Sequence, residues 1–332
     1  MLAGRSDEAL EVGVEALALA RQFGDERLES RALITNGTAK GQLGGSGTAE
    51  LERGIELAER ANAMTEYVRG TNNLAQEFLV VGDLASTGEL YDIALERVDR
   101  LGLKSATAWL LGQKISHAYL AGNWEEFARL SERYRAVIAR MPGHYLEHQL
   151  AGLEATIMTV RADPAAEAAW ARALELCYVA GDPQAIGPQV ARRARVLLEQ
   201  GRPAEVRTLG DEILALQDEH GALYYTWLID LAWLLVDLGR EAEMQTIASG
   251  GVWLEIAQAI VRHDFAAAAE ELERIGMRTD EAYARLRTAE ELASEGRHPE
   301  AQPHLERALA FYRSVGASTY VRRAEVLLPA SA

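Results

Sequence analysis

The sequence predicts an all-α protein, a right-handed superhelix of antiparallel helix pairs in the manner of an α-solenoid. Three observations carry that expectation. Small turn residues recur at Gly4, Gly44, Gly82, Gly122, Ala162, Gly201 and Gly239, with spacings of 40, 38, 40, 40, 39 and 38 residues, within the range of arrays of paired helices. Apolar residues recur at three and four, and the alternation that marks a strand is absent. Small residues keep fixed distances from the turns, with Ala16, Ala94 and Ala308 twelve after one and Ala9, Ala268 and Ala301 five after one.

The elements follow in order. Helices are expected over about 6–23, 26–43, 47–62, 64–83, 87–101, 104–121, 124–140, 144–162, 164–180, 184–200, 203–217, 219–238, 240–248, 252–262, 264–275, 279–295, 298–315 and 317–329. Asp, Asn or Pro opens many of them. In Asp163-Pro164, Asp182-Pro183 and Arg202-Pro203 the proline sits in a first turn, where its missing N–H is not needed. Each unit places one helix before its turn and one after. Only Met1, Leu2 and Ala3 precede Gly4, so the first unit has its second helix and lacks its first. This reads as a piece of a longer protein or a start placed late, and Leu10, Val14 and Leu17 are expected to lack their partner. After Gly239 come short units of 24 residues, to His263, and 33, to Gly296. Gly250-Gly251 marks that irregularity and suggests two bodies, 1–249 and 250–332.

The best-preserved unit reads Asn73-Leu74-Ala75, Phe78, Gly82-Asp83, Ala94. Leu74 and Phe78, four apart, face the partner helix. Gly82 turns the chain with a positive φ, and Ala94 lets two helices approach. Gly122-Asn123-Trp124 and Gly296-Arg297 repeat the turn. This pattern resembles the tetratricopeptide repeat in a divergent, longer form, over nearly the whole chain. A closer resemblance lies in Ala266–Glu270, Ile275-Gly276, Glu281–Arg287, Leu309–Ala317 and Tyr320–Arg322. These segments look like the end of large bacterial signalling ATPases, in which an ATPase module, often with a cyclase or a LuxR-type DNA-binding domain, carries a long helical-repeat region. The resemblance implies that this chain is such a region. It implies no ATPase or cyclase chemistry, whose motifs are absent.

Composition narrows the partners. Hydrophobic residues make up 48% and charged residues 25%, ample for a packed core. A net charge of −16 disfavours nucleic acid, whose affinity comes from neutralising phosphates, and an anionic membrane surface. No apolar run approaches the roughly 18 residues that span a bilayer. One cysteine, Cys177, excludes an intramolecular disulfide, and with no secretory apolar segment the cytoplasm is the expected compartment. Three lysines stand against 31 arginines, a weak pointer to a bacterial source.

Several motifs invite chemistry. Gly44-Gly45-Ser46-Gly47-Thr48 lacks the Lys and the preceding strand of a phosphate loop and reads as a turn. His144-Tyr145-Leu146-Glu147-His148 matches H-x-x-E-H. On a helix the two histidines would share a face and a metal, Glu147 would activate water, and Glu219 is the nearest third ligand. The expected reading is solvent-facing helix residues, with a zinc hydrolase as the remote alternative. Cys177, between Leu176 and Tyr178, reads as a buried, inert thiol. Tyr224, Trp227 and Leu231 share a face that reads as core.

The first helix of each pair lines the inner surface of such arrays, suited to a peptide or a partner helix. Nine residues back from each turn stand Thr35, Asn73, Gln113, Leu153, Arg192, Asp230, Leu254 and Arg287. Asn73, Gln113, Arg192, Asp230 and Arg287 are the candidate binding residues. An amide there holds a partner's backbone by donating and accepting at once, and the arginines anchor acidic groups. The expected function is a non-enzymatic scaffold without cofactor, binding a protein, a peptide or another part of its parent, with homodimer formation through the exposed end left open. The alternative is a small-molecule or peptide sensor with a pocket near 239–263.

Overall fold

The structure is a computed structural model and describes residues 6–141, 143–220, 227–247 and 251–328. All its regular elements are helical. In chain order they are α1 Ser6–Phe23, α2 Glu26–Gln42, α3 Thr48–Arg60, α4 Met64–Val80, α5 Leu84–Arg100, α6 Lys104–Leu120, α7 Trp124–Ile138, α8 Glu147–Val160 and α9 Ala166–Ala180. There follow α10 Pro183–Glu199, α11 Pro203–His220, α12 Trp227–Leu238, α13 Gly251–Val261, α14 Phe265–Arg274, α15 Arg278–Ser294, α16 His298–Val315 and α17 Ser318–Glu325. Sequence neighbours pack against one another, the arrangement of an α-solenoid.

The helix starts use the residues the sequence offered. Asp25, Asp83, Asn123, Asp182 and Asp264 each accept a hydrogen bond from a backbone N–H in the first turn of the helix that follows, which satisfies donors that the helix itself leaves open. Three expected elements differ. The stretch expected as a helix over 240–248 is a short 3₁₀ segment, Glu241–Thr246, where Glu, Met, Gln and Thr lack a repeating apolar face. α8 begins at Glu147, with Tyr145 and Leu146 in a turn that takes the place of its expected first helical turn. α9 begins at Ala166, after a turn in which Asp163 accepts from the Ala165 N–H at 2.8 Å.

The periodic turns carry positive φ at Gly44, Gly82, Gly122, Ala162, Gly201, Gly239, His263 and Gly296. Gly4 lies outside the described residues, as does the expected boundary at 249/250. Six of the eight are glycine and bear this conformation freely. Ala162 (φ 58°) and His263 (φ 60°) do not, because a Cβ there crowds the following carbonyl.

By its internal contacts the chain divides into two compact units, residues 1–114 and 115–332. In unit 1, Ile34, Leu51 and Leu74 form a buried cluster, with Ile55, Phe78 and Leu90 packed on it. A Cβ on Gly54 would sit 2.6 Å from Ile34, and one on Gly70 would sit 2.8 Å from Ile55. Glycine at these two places lets α2, α3 and α4 approach closely. Of the three α1 residues expected to lack a partner, Val14 is 56% exposed, whereas Leu10 and Leu17 are half-buried, and further apolar side chains of α1 stand bare. Val12 is 66%, Leu19 54% and Phe23 77% exposed, with the exposed Ala16 between them.

In unit 2, Ala155, Trp170, Ala173 and Val196 form one core cluster. α12 is buried on every side from Trp227 to Val236, as the core reading of Trp227 and Leu231 expected, while Tyr224 lies outside the described residues. Unit 2 also departs from a simple nearest-neighbour array. Arg161 donates to the Val315 carbonyl at 2.9 and 3.2 Å. Trp124 Nε1 donates to Thr279 Oγ1 at 3.2 Å, and that hydroxyl donates to the Tyr119 carbonyl at 2.5 Å. Ser318 Oγ donates to the Arg161 carbonyl at 3.1 Å. The residues around α7 and α8 therefore pack against α15, α16 and α17, and unit 2 closes on itself.

Candidate functional site

The five candidate binding residues fall into two different environments. In unit 1, Thr35, Asn73 and Gln113 are equivalent, each nine residues after the first residue of its helix at Glu26, Met64 and Lys104, and all three are half-buried. Asn73 Nδ2 donates to Thr38 Oγ1 at 2.7 Å, which ties α4 to α2. Four residues toward each helix start stand Arg31 and Arg69. Arg69 reaches across to α2, donating to the Arg31 carbonyl at 2.9 Å and to Thr35 Oγ1 at 3.3 Å. Among the described residues neither guanidinium pairs with a carboxylate. The acidic residues of α2 are engaged elsewhere, Glu26 with Arg60 and Glu29 with Arg21. Burial lowers the pKa of Arg69; Glu66 opposes the shift, and the like charge of Arg31 adds a smaller lowering. Position counting missed this pair because it selected the amide position and not the one a turn away.

In unit 2, Arg192 and Asp230 come together at 3.9 Å in a buried network. Its centre is Arg195, which reaches Asp230 at 2.9 Å, Asp280 at 3.4 Å and Glu199 at 3.6 Å. The Arg195 guanidinium lies 4.0 Å from the centre of the Tyr283 ring. Arg287 pairs with Asp237 at 2.9 Å and lies over the rings of Trp233, Phe265 and Tyr283. Tyr320 donates to Glu199 at 2.7 Å, which brings α17 to the network. Burial raises the Asp280 carboxyl, opposed by Arg195 and reinforced by Asp230. Burial alone would lower Arg195; the acidic groups around it outweigh that and hold it charged. Burial also pushes the Tyr283 phenol up to about 12. Three of the candidate binding residues are thus occupied by one another and by their neighbours, as internal structure.

The two histidines of the H-x-x-E-H pattern do not share one helix, the placement on which the metal reading rested. His144 precedes α8, and its Nδ1 lies 2.7 Å from the Tyr134 hydroxyl. Glu147 accepts from the His144 backbone N–H at 3.0 Å, as a helix-start contact. His148 is buried on α8, 5% exposed, against the Tyr145 ring, and neither of its nitrogens has a hydrogen-bond partner. Burial lowers its pKa to about 4, with Asp182 opposing. The expectation of solvent-facing histidines therefore fails for His148, because the first turn of the expected helix is absent and the ring turns inward. The Glu219 side chain lies outside the described residues, which hold no group of three or more candidate metal ligands. Cys177 is fully buried, and burial pushes its thiol up to about 11, in keeping with an inert thiol.

Among the described residues no helix is long and apolar enough to cross a membrane. Comparison with known protein families and with curated proteins finds no match, so the chain's function is argued from its own residues.

Proposed function

We propose that this chain is a non-enzymatic helical-repeat scaffold, the partner-binding regulatory arm of a larger bacterial signalling ATPase or transcriptional regulator working in the cytoplasm. In this reading the helix pairs wind as a right-handed superhelix. A protein or peptide binds the inner face, and binding shifts the populations of an attached effector module. The observation that carries the reading is the register of α2, α4 and α6. Three equivalent helices set polar side chains at matching positions, Thr35, Asn73 and Gln113, on a half-exposed face, while residues such as Ile34 and Leu74 on other sides of α2 and α4 are buried. Such a face recognises an extended segment by repeated contacts of one kind. The resemblance of residues 266–322 to signalling ATPases supplies the larger context.

The test is capture of partners by the full chain and by a variant with Asn73→Ala and Gln113→Ala, followed by affinity measurement with the purified partner. The expected result is a partner whose affinity falls about tenfold in the variant, the loss of one or two hydrogen bonds. A partner that binds both forms equally would remove the inner face of unit 1 as the binding surface.

A further inference from the structure

Resting on the scaffold reading, we propose that the face of unit 1 carrying Arg31 and Arg69 docks an extended acidic segment of a partner protein, whose carboxylates take the two guanidinium groups. The argument begins with charge. This chain has a net charge of −16, yet among the described residues these two neighbouring arginines make no ion pair with a carboxylate. Arg69 is half-buried and fixed by the Arg31 carbonyl and Thr35 Oγ1. Its forked guanidinium is thereby positioned before any ligand arrives. Arg31, on the neighbouring helix, is exposed. Glu66 is the one acidic residue near Arg69 on α4. It is 5% exposed, makes no ion pair with Arg69, and leaves one oxygen buried without a partner. The Glu66 carboxylate offsets part of the charge on Arg69, Arg31 adds a like charge beside it, and an anion laid across the two guanidinium groups relieves that repulsion.

The neighbouring side chains select a polypeptide over a free anion. Along α4 from Arg69 stand Asn72, Asn73 and Gln76. Their side-chain amides both donate and accept, which matches the alternating N–H and C=O of an extended backbone, whereas an inorganic anion offers mainly acceptors. A bidentate contact to each arginine then gives specificity as well as affinity.

The probe is a fluorescein-labelled peptide of ten glutamates, titrated against the full chain at low ionic strength and read by anisotropy. A chain this acidic repels a polyanion in general, so binding demands a local cationic site. Saturable binding is expected, weakened about 10- to 100-fold in the Arg31→Gln, Arg69→Gln double variant, the usual effect of losing charge-assisted hydrogen bonds. Arg100→Gln, on α5 and exposed, leaves it unchanged. Inorganic phosphate competes only weakly. The proposal is overturned by an absence of saturable binding, by binding that survives the double substitution, or by phosphate competing as well as the peptide. Circular dichroism separates lost binding from lost folding, since Arg31→Gln relieves repulsion and is expected to leave the melting temperature unchanged or raised. Failure here leaves the scaffold reading standing if a captured partner still depends on Asn73 and Gln113; if that dependence is also absent, both fall.

Discussion

The inner positions of unit 1 and the interior of unit 2 arise from the same place in the repeat, nine residues before a turn, and are put to opposite use. In unit 1 that place holds Thr35, Asn73 and Gln113, half-exposed, with two arginines nearby that make no ion pair among the described residues. In unit 2 it holds Arg192, Asp230 and Arg287, each engaged with partners within the unit, together with Leu153, which is buried. The difference teaches that a polar residue at a repeat's inner position reports nothing about binding until its partners are counted. A charge that the fold has already neutralised is structure, and one left unpaired is available to a ligand.

The sharpest way to break the comparison is to remove one charge from the interior. Asp230→Ala leaves Arg195, whose side chain is only 12% exposed, without its nearest acidic partner. A loss of about 3 kcal/mol is expected, the low end for a buried pair because Asp280 and Glu199 still face Arg195, measured by urea unfolding. Replacing Arg195 together with Asp230 should not restore it, because Asp280 and Glu199 then lose the guanidinium they share. If Asp230→Ala is neutral, the network is solvated and the contrast fails.

Acid separates the units next. All seven histidines lie beyond residue 114. His148 is buried with its pKa lowered from 6.5 to about 4, so the folded state resists a proton that the unfolded chain accepts. That contribution is fully present above about pH 6.5 and is lost as pH falls toward 4, amounting to about 3 kcal/mol for unit 2. In unit 1, burial raises Glu77. Its contribution has the opposite sense, present at acid pH and lost as pH rises through its folded pKa. Melting curves between pH 4 and 8 for wild type and His148→Leu check both signs. The variant should lose most of the dependence above pH 4.

Backbone strain gives a smaller effect. Ala162→Gly removes a Cβ from a left-handed residue and should stabilise unit 2 by about 0.5–1 kcal/mol; Gly82→Ala should cost unit 1 a similar amount. The smallest effect is Arg31→Gln, expected to stabilise unit 1 by about 0.2–0.5 kcal/mol through relief of like-charge repulsion. A destabilisation there would mean that Arg31 is anchored in the free protein.

The turns were legible because glycine, asparagine and aspartate act within a few residues of where they stand. Helix starts at Asp25, Asp83 and Asp264 follow from one side chain and one N–H. The missing first turn of α8 was less legible: proline and glycine at 142 and 143 were visible, but periodicity ran on through His144. The closure of unit 2 left no local trace, because Trp124 and Thr279 meet 155 positions apart and a period reports only neighbours. The arginine pair escaped for a related reason. Two arginines 38 positions apart look like any others until the neighbouring helices show which carboxylates are already taken.

The closure of unit 2 has a consequence during synthesis. A chain that packs only neighbour on neighbour can bury each helix soon after it emerges. Tyr119 and Trp124 must wait for residues some 155 positions later, which at about 5–20 residues per second is roughly 10–30 s with an aromatic surface uncovered. Over that interval the order of manufacture, and not the final energy, decides whether α7 meets its own C-terminal helices or a neighbouring nascent chain. Unit 2 is therefore the part of this molecule for which a chaperone matters most.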